Sequence, residues 1–225
     1  MKLELKPRLN MAAQMVRRGV RVADIGTDHA YLPTALILDG AVPCAIAADL
    51  RKGPLDNAEA TVNTYGIADK VQLRRSNGLR NILPDEVDDI VIAGMGGILI
   101  SEILEDAPWI KNEKYKLILQ PQSHDEIVRR WLWKNGFEII EEESCIDDKK
   151  PYICMSAVYT GKQKEHDPIE DMFGDFFYRE DDASDAFCQK KLRRVQIRHS
   201  ALNKIDPTNE EIPSLQYILD EVKKW

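Results

Sequence analysis

Three aspartates stand at the ends of short apolar runs early in the chain. Asp24 and Asp28 belong to DIGTDHAYLP, which begins as one apolar run ends, and Asp49 ends the next run, AIAAD. A carboxylate at the end of the second strand of a parallel sheet can accept both hydroxyl hydrogens of an adenosine ribose. The position of Asp49 therefore indicates an adenosine-containing cofactor.

The loop that carries Asp24 and Asp28 discriminates between such cofactors. It has Gly26 but lacks the full GxGxxG pattern that brings a dinucleotide pyrophosphate against backbone amides. Two carboxylates would repel a pyrophosphate, whereas they suit S-adenosylmethionine, which carries an ammonium and a sulfonium and no phosphate. We therefore expect S-adenosylmethionine, and a nicotinamide-dependent enzyme is the less favoured alternative.

Two further loops follow later apolar runs. Asn77 and Gly78 come after the third run, where an amide can hydrogen-bond an adenine edge and a glycine leaves room for the ring. An ordinary turn is the alternative there. The sequence GMGG at residues 94–97 follows the fourth run, and such a loop lets the backbone approach a ligand closely. Its alternative is a tight entry into the next helix.

These loops meet only if the strands before them run parallel, because ligands bind beyond the carboxyl ends of such strands. Residues 1–160 alternate short apolar runs with helix-like stretches, which is typical of a mainly parallel sheet covered on both faces. Five runs predict parallel strands, and FEIIEEESCID and YICMSAVYT predict a hairpin around DDKKP. We expect a Rossmann-like α/β domain with a seven-stranded, mostly parallel sheet and an antiparallel edge strand.

The chain changes character after Gly161. KQKEHDP is polar, and the sequence after it predicts two antiparallel helices separated at Asp206-Pro207. Their heptad-like positions hold Leu192, Val195, His199 and Leu202, then Ile212, Leu215, Leu219 and Val222. Residues 161–225 are therefore predicted to form a helical coiled-coil extension, which is either a structural hairpin or a functional arm.

Composition narrows the class of protein. The formal net charge of −7 argues against a nucleic-acid partner, yet the stretch from Cys188 to Lys204 has six basic side chains and no acidic one. The four cysteines form no CxxC pair, so neither a zinc site nor a disulfide framework is expected. No apolar run is long enough to cross a bilayer, and we expect a cytoplasmic protein without a metal.

DIGTDHAYLP, AADLRKGPLDNA, the Asn-Gly pair, IAGMGG and LILQPQ occur in this order along the chain. Together these motifs resemble those of the bacterial tRNA (adenine-22-N1)-methyltransferase family, and DHAYLP together with IAGMGG is the most specific part. The resemblance implies a methyltransferase domain with a coiled-coil extension, and transfer of a methyl group from S-adenosylmethionine to N1 of an adenine in tRNA. Gln122 departs from the family's pattern, in which an asparagine follows LQP.

Asp28 is the predicted catalytic residue. Methylation at N1 makes adenine cationic, so a nearby carboxylate can stabilise the developing charge or accept a proton from the exocyclic amine. A helix N-cap, or a partner for the cofactor's ammonium, is the alternative role. His29 can orient Asp28 or the cofactor, or be structural, and Tyr31 can stack on a base or belong to the core.

The basic tract offers a surface for RNA. On a helix, Lys190, Arg194 and Arg198 recur every four residues and form one positive stripe, with Lys191 and Arg193 beside it. Such a stripe can follow a phosphate backbone, and contacts of this kind would offset the cost of swinging a target adenine out of folded tRNA. A solvated helix face is the alternative.

The predicted site residues form two sets in addition to Asp28. The cofactor set is Asp24, Gly26, His29, Asp49, Leu50, Asn77, Gly78, Gly94, Met95 and Gly96. The tRNA set is Tyr31, Gln120, Gln122, Lys190, Lys191, Arg193, Arg194 and Arg198. A monomer is favoured. Two other functions stay open: a small-molecule methyltransferase with an enclosed pocket, and a non-catalytic RNA-binding protein with a relict methyltransferase fold.

Overall fold

Strands and helices alternate through the first part of the chain, in a computed structural model that describes residues 3–224. The strands are β1 (Val22–Ile25), β2 (Ala45–Asp49), β3 (Val71–Arg75), β4 (Asp89–Gly96), β5 (Lys116–Ser123), β6 (Phe137–Asp147) and β7 (Lys150–Tyr159). The helices are α1 (Pro7–Met15), α2 (Tyr31–Leu38), α3 (Lys52–Thr64), α4 (Gly97–Glu105), α5 (Asp125–Lys134), α6 (Pro168–Phe173), α7 (Asp182–Ile205) and α8 (Ile212–Val222). Short 3-10 helices span Pro84–Glu86, Pro108–Ile110 and Gly174–Tyr178.

The strands form one sheet in the order β3-β2-β1-β4-β5-β7-β6. The first five run parallel, and the order reverses between β1 and β4, whose carboxyl ends border the crevice where such folds bind ligands. One apolar core fills each face of the sheet, with β1, β4 and β5 contributing to both. The predicted seven-stranded, mostly parallel, Rossmann-like sheet is confirmed.

The antiparallel strand lies one place inside the sheet and not at its edge. β7 pairs antiparallel with both β5 and β6, so β6 is the outermost strand. The side chains explain this order, because residues 153–157 of β7 are continuously buried, whereas Glu138, Glu141 and Glu143 of β6 are exposed. Charged side chains on an outer strand also prevent pairing with another sheet.

The C-terminal extension contains the two predicted helices and α6 in addition. α7 and α8 pack together as a hairpin, and an apolar cluster joins them to α6: Ile169, Phe173, Val195, Leu202, Leu215 and Ile218. α6 is not among the predicted helices, although Asp167-Pro168 is a helix-start signal. Asp167 Oδ1 accepts hydrogen bonds from the backbone N–H groups of Ile169 and Glu170 at 2.8 and 3.0 Å.

The extension packs directly against the sheet. Phe176 and Phe187 belong to the same apolar core as β4 and β5, and α7 contacts β6 and β7. The division into residues 1–160 and 161–225 stays a prediction, because this contact makes the two parts structurally continuous.

Within residues 3–224, no helix is long and apolar enough to cross a membrane. The same residues contain no group of three or more His, Cys, Asp or Glu side chains arranged to hold a metal ion.

Candidate cofactor and substrate site

A cavity of about 1120 Å³ opens at the carboxyl ends of β1 to β4. Every residue of the predicted cofactor set lines it, together with Asp28, Tyr31 and Gln122. Small-molecule sites typically have volumes of about 300–1,000 Å³, so this cavity has room for a cofactor and for part of a second molecule. Gln120 and the basic side chains of α7 lie outside its lining.

Two buried carboxylates stand on one wall of the cavity. Asp24 is in β1 and Asp49 ends the neighbouring strand β2. The backbone N–H of Arg51 donates to Asp49 Oδ1 at 2.8 Å, which fixes that carboxylate just before α3. Burial, with a smaller contribution from the negative charge of Asp49, raises the pKa of Asp24 to about 6. Two carboxylates on one wall favour a cationic ligand.

Glycines bring the neighbouring loops close together. Gly26 has a φ of +81°, and a Cβ atom there would overlap Met95 Cε. Met95 therefore packs on the loop after β1 as well as lining the cavity. Gly78 has a φ of +56°, and Ser76 Oγ donates to its carbonyl oxygen at 2.7 Å. The Asn77-Gly78 pair is thus a side-chain-braced turn that also borders the cavity.

The Gln120 side chain in β5 supports the loop at residues 94–97 by a hydrogen bond to its backbone. Its Oε1 accepts a hydrogen bond from the Gly94 N–H at 3.1 Å, and the residue is 0% exposed. A side chain so enclosed does not reach an RNA, and the prediction that Gln120 contacts tRNA is wrong.

Gly97 begins α4, and a Cβ atom at this position would overlap the His124 carbonyl oxygen. The interpretation of this glycine as a tight entry into the next helix therefore holds.

Asp28 lies at the mouth of the cavity with 69% of its side chain exposed. α2 has Ala30 at its N-cap position and no side-chain cap, which excludes the N-cap role for Asp28. His29 Nε2 lies 3.6 Å from Asp28 Oδ2, and the His29 ring stacks on that of Tyr31 with centroids 4.9 Å apart. Tyr31 is exposed and not part of the core. Both Asp28 and Tyr31 are therefore accessible to a substrate.

The N-terminal segment forms one side of the cavity, which the motifs do not indicate. Leu3, Leu5, Lys6 and Arg8 are among its lining residues. The sequence signal for this segment is the alternation of apolar and charged residues before Pro7. In the structure Leu3 and Leu5 are half-buried and Glu4 between them is exposed, which matches an extended segment.

Comparisons with known proteins agree with this geometry. Residues 5–155 match a family model described as a methyltransferase domain. The chain is 32% identical to the tRNA (adenine(22)-N(1))-methyltransferase of Bacillus subtilis, over 98% of this chain and 95% of that protein. The chain belongs to the tRNA (adenine-22-N1)-methyltransferase family. The resemblance seen in the sequence motifs is confirmed.

Solved structures of this methyltransferase family share the whole fold. The crystal structure of the Bacillus subtilis m1A22 tRNA methyltransferase matches with a TM-score of 0.85 and 30% identity, covering 99% of this chain and 97% of that one. The Streptococcus pneumoniae putative tRNA (m1A22) methyltransferase, in complex with S-adenosyl-L-methionine, matches with a TM-score of 0.82 and 31% identity, covering 96% and 100%. Coverage this complete includes the C-terminal helices.

In this methyltransferase the three basic side chains predicted to form one stripe along α7 all lie on its exposed side. Lys190, Arg193 and Arg194 are exposed. Arg198 is also exposed, but its Nη2 lies 2.8 Å from Glu211 Oε1 at the start of α8. Its charge is therefore partly used to join the two helices of the hairpin.

Lys191 faces the protein interior. It is 2% exposed, and its Nζ lies 2.9 Å from Asp125 Oδ1 and 2.6 Å from Glu126 Oε2. Both partners are in the first turn of α5, so Lys191 fastens the extension to the sheet domain. The prediction that Lys191 contacts tRNA is wrong, because helix packing turns this side of α7 inward.

Proposed function

We propose that this protein transfers a methyl group from S-adenosylmethionine to N1 of an adenine in tRNA, the adenine at position 22. The observation that carries the proposal is the single cavity that contains the whole predicted cofactor set, with Asp28 and Tyr31 at its mouth. The Bacillus subtilis relative, which matches nearly the whole chain, supports the choice of tRNA and of the adenine.

The side chains of the cavity suit this cofactor. Asp49 would hold the ribose hydroxyls, Asp24 would face the ammonium, and Asn77 would meet the adenine edge. S-adenosylmethionine supplies an electrophilic methyl group when bound. The protein's own contribution is to hold the target base in line with that group, and the exposed Tyr31 ring offers a face for the base.

Cofactor affinity should fall as the pH drops below about 6, because the Asp24 carboxylate then takes up a proton and loses its attraction for the ammonium. Above that pH the affinity should be constant as long as the ligand's ammonium keeps its proton. Isothermal titration calorimetry with S-adenosylhomocysteine, in buffers of different ionisation enthalpy, measures both the affinity and the protons released near pH 6.

Asp24→Asn is the matched variant for this prediction. The pKa of Asp24 is higher in the folded protein than in the unfolded chain. The contribution of Asp24 to the free energy of unfolding therefore falls as the pH rises from about 4 to about 6. The variant should lose that decline and also the pH dependence of cofactor binding. If the wild-type affinity for S-adenosylhomocysteine does not change across this pH range, Asp24 does not bind the ammonium.

Asp28→Asn should lower kcat on tRNA by about 100-fold, the lower end of what a positioned general base contributes, with little change in cofactor affinity. Asp69→Asn is the control, because Asp69 is an exposed aspartate just before β3 and outside the cavity. Steady-state kinetics and calorimetry separate the two effects. Equal losses of kcat and of cofactor affinity would make Asp28 an anchor for the cofactor.

The target position is tested with two transcripts of one tRNA that differ only at nucleotide 22, which is adenine in one and guanine in the other. We expect methyl incorporation into the first transcript alone. Equal incorporation into both would overturn the assigned position while leaving the reaction intact.

We also propose that the protein acts as a monomer in the cytoplasm, with residues 1–160 binding the cofactor and residues 161–225 contributing contacts to RNA. Cys44, Cys145, Cys154 and Cys188 are free thiols, as expected in a reducing compartment. Light scattering on the purified protein, with and without tRNA, tests the oligomeric state.

A further inference from the structure

Tyr152 in β7 lies between the cavity rim and the C-terminal extension. The guanidinium carbon of Arg8, a lining residue of the cavity, is 5.8 Å from the centre of its ring. Lys190 Nζ of α7 is 5.9 Å from the same centre. Aromatic faces attract cations at such distances, so the ring holds basic groups from two distant parts of the chain beside one another.

Three cations lie near one another where α7 packs against β7. They are Lys150, at the start of β7, and Lys190 and Arg194, one turn apart on α7. Burial, together with the neighbouring charges of Arg194, Lys191 and Lys150, lowers the pKa of Lys190 despite the opposing charge of Asp125. Among residues 3–224, no carboxylate lies within ion-pair distance of Lys150, Lys190 or Arg194. Unpaired like charges held together in this way repel one another, and a bound polyanion would relieve that repulsion.

The cations nearest the cavity differ in having acidic partners. Arg8 Nε lies 3.7 Å from Asp147 Oδ2, and Lys6 Nζ lies 3.9 Å from Asp148 Oδ2. Their charge is thus largely balanced by the β6–β7 hairpin. Lys150, Lys190 and Arg194 have no such partner among the described residues, and the Tyr152 ring connects Lys190 to the cavity rim.

We propose that Lys150, Lys190 and Arg194 form a phosphate-binding surface that holds the tRNA backbone beside the cavity. This inference rests on the proposed function and deepens it by naming the surface that meets RNA. The surface is built from the β6–β7 hairpin and α7 together, so it differs from the stripe along one helix that the sequence predicts. Phosphate contacts of this kind fix the position and orientation of a nucleic acid without reading its sequence.

The chemistry favours a nucleic acid as the occupant. The whole chain has a net charge of −7, so a local group of unpaired cations is the exception on an otherwise acidic molecule. An acidic body with one basic surface would repel RNA except where that surface meets it. The position beside the cavity rim suits a polymer whose target base must enter that cavity.

The test is the salt dependence of tRNA binding by the full-length protein and its variants Lys150→Gln, Lys190→Gln and Arg194→Gln. Binding of fluorescently labelled tRNA is measured over a range of salt concentrations. Each variant should reduce the slope of log affinity against log salt concentration by about 0.7 to 0.9, the loss of one phosphate contact. KM for tRNA should rise, while kcat and the affinity for S-adenosylhomocysteine stay at the wild-type values.

Lys70→Gln is the matched control. Lys70 is an exposed lysine immediately before β3, at the opposite edge of the sheet from β6 and β7, and its removal changes the net charge equally. It should leave the slope unchanged. Slopes for the three surface variants equal to that of Lys70→Gln would overturn the inference. Lys150 and Arg194 are exposed, so their variants keep the test valid even if Lys190→Gln destabilises the fold.

The experiments distinguish an error in the phosphate-binding surface from an error in the proposed function. If the wild-type protein methylates tRNA and the variants bind it with unchanged slopes, only the surface is wrong. If the wild-type protein binds S-adenosylhomocysteine but neither binds nor methylates tRNA, both are wrong.

Discussion

Replacing Arg129 with methionine should lower the free energy of unfolding by about 3–5 kcal/mol, as expected when one partner of a buried ion network is removed. Arg129 is 0% exposed, and its Nε donates to Glu142 Oε1 at 2.9 Å while its Nη1 donates to Asp125 Oδ2 at 2.7 Å. Nη1 also donates to the Asp171 carbonyl oxygen at 2.9 Å. The variant would leave the buried Glu142 carboxylate without its ion-pair partner and the buried Asp125 carboxylate with Lys191 alone.

Arg80→Met is the control for this effect. Arg80 Nη2 lies 2.7 Å from Asp106 Oδ2, but both side chains are more than half exposed. Exposed ion pairs contribute about 0–1 kcal/mol, so this variant should change little. Urea unfolding followed by circular dichroism measures both. Similar losses for the two variants would show that the buried network stabilises the fold no more than an exposed ion pair does.

Asp49→Ala should weaken the binding of S-adenosylhomocysteine by at least about 100-fold. Hydrogen bonds to a charged group contribute about 1.5–3 kcal/mol each, and a ribose presents two hydroxyls to the carboxylate. Asp49 is already fixed by the Arg51 N–H, so little ordering is needed on binding. Titration calorimetry at a pH well above 6, where Asp24 is ionised, isolates the effect.

Asp56→Ala serves as the control for Asp49→Ala. Asp56 is an exposed aspartate of α3, paired with Lys52 at 2.9 Å and outside the cavity. Its removal should leave the affinity unchanged. If Asp49→Ala binds S-adenosylhomocysteine as tightly as Asp56→Ala does, Asp49 is not the ribose ligand.

The part of the cavity formed by the loops after β1 to β4 could be predicted because its residues lie at or near the ends of strands. Strand ends of a parallel sheet converge whatever their distance in the chain, so Asp24, Asp49, Asn77 and Gly94 could be brought together from local patterns alone. Parallel strands were predictable for a similar reason, since their continuous apolar runs differ clearly from the polar loops between them.

The errors concern residues whose environment is set by distant parts of the chain. Lys191 has the composition and helix position of a surface lysine, but its partner Asp125 is 66 residues earlier and lies under α7 only after the extension has packed. Gln120 is in a motif at the end of an apolar run, yet β5 continues to Ser123 and buries Gln120 against the Gly94 loop. Local periodicity carries no information about either contact.

The place of β7 and the role of the N-terminal segment also depend on tertiary structure. A hairpin predicts that β6 and β7 pair but not which of them joins β5, and the difference lies in which strand tolerates burial on both faces. The segment before α1 has too few residues for a reliable pattern, and its contact with the cavity forms only when α1 packs against the sheet.

The most direct test of the proposed function is transfer of labelled methyl from S-adenosylmethionine to bulk bacterial tRNA, followed by nucleoside mass spectrometry of the product. The function proposed here predicts label in 1-methyladenosine. Label in any other nucleoside, or no label in tRNA while S-adenosylhomocysteine binds the protein, would contradict it.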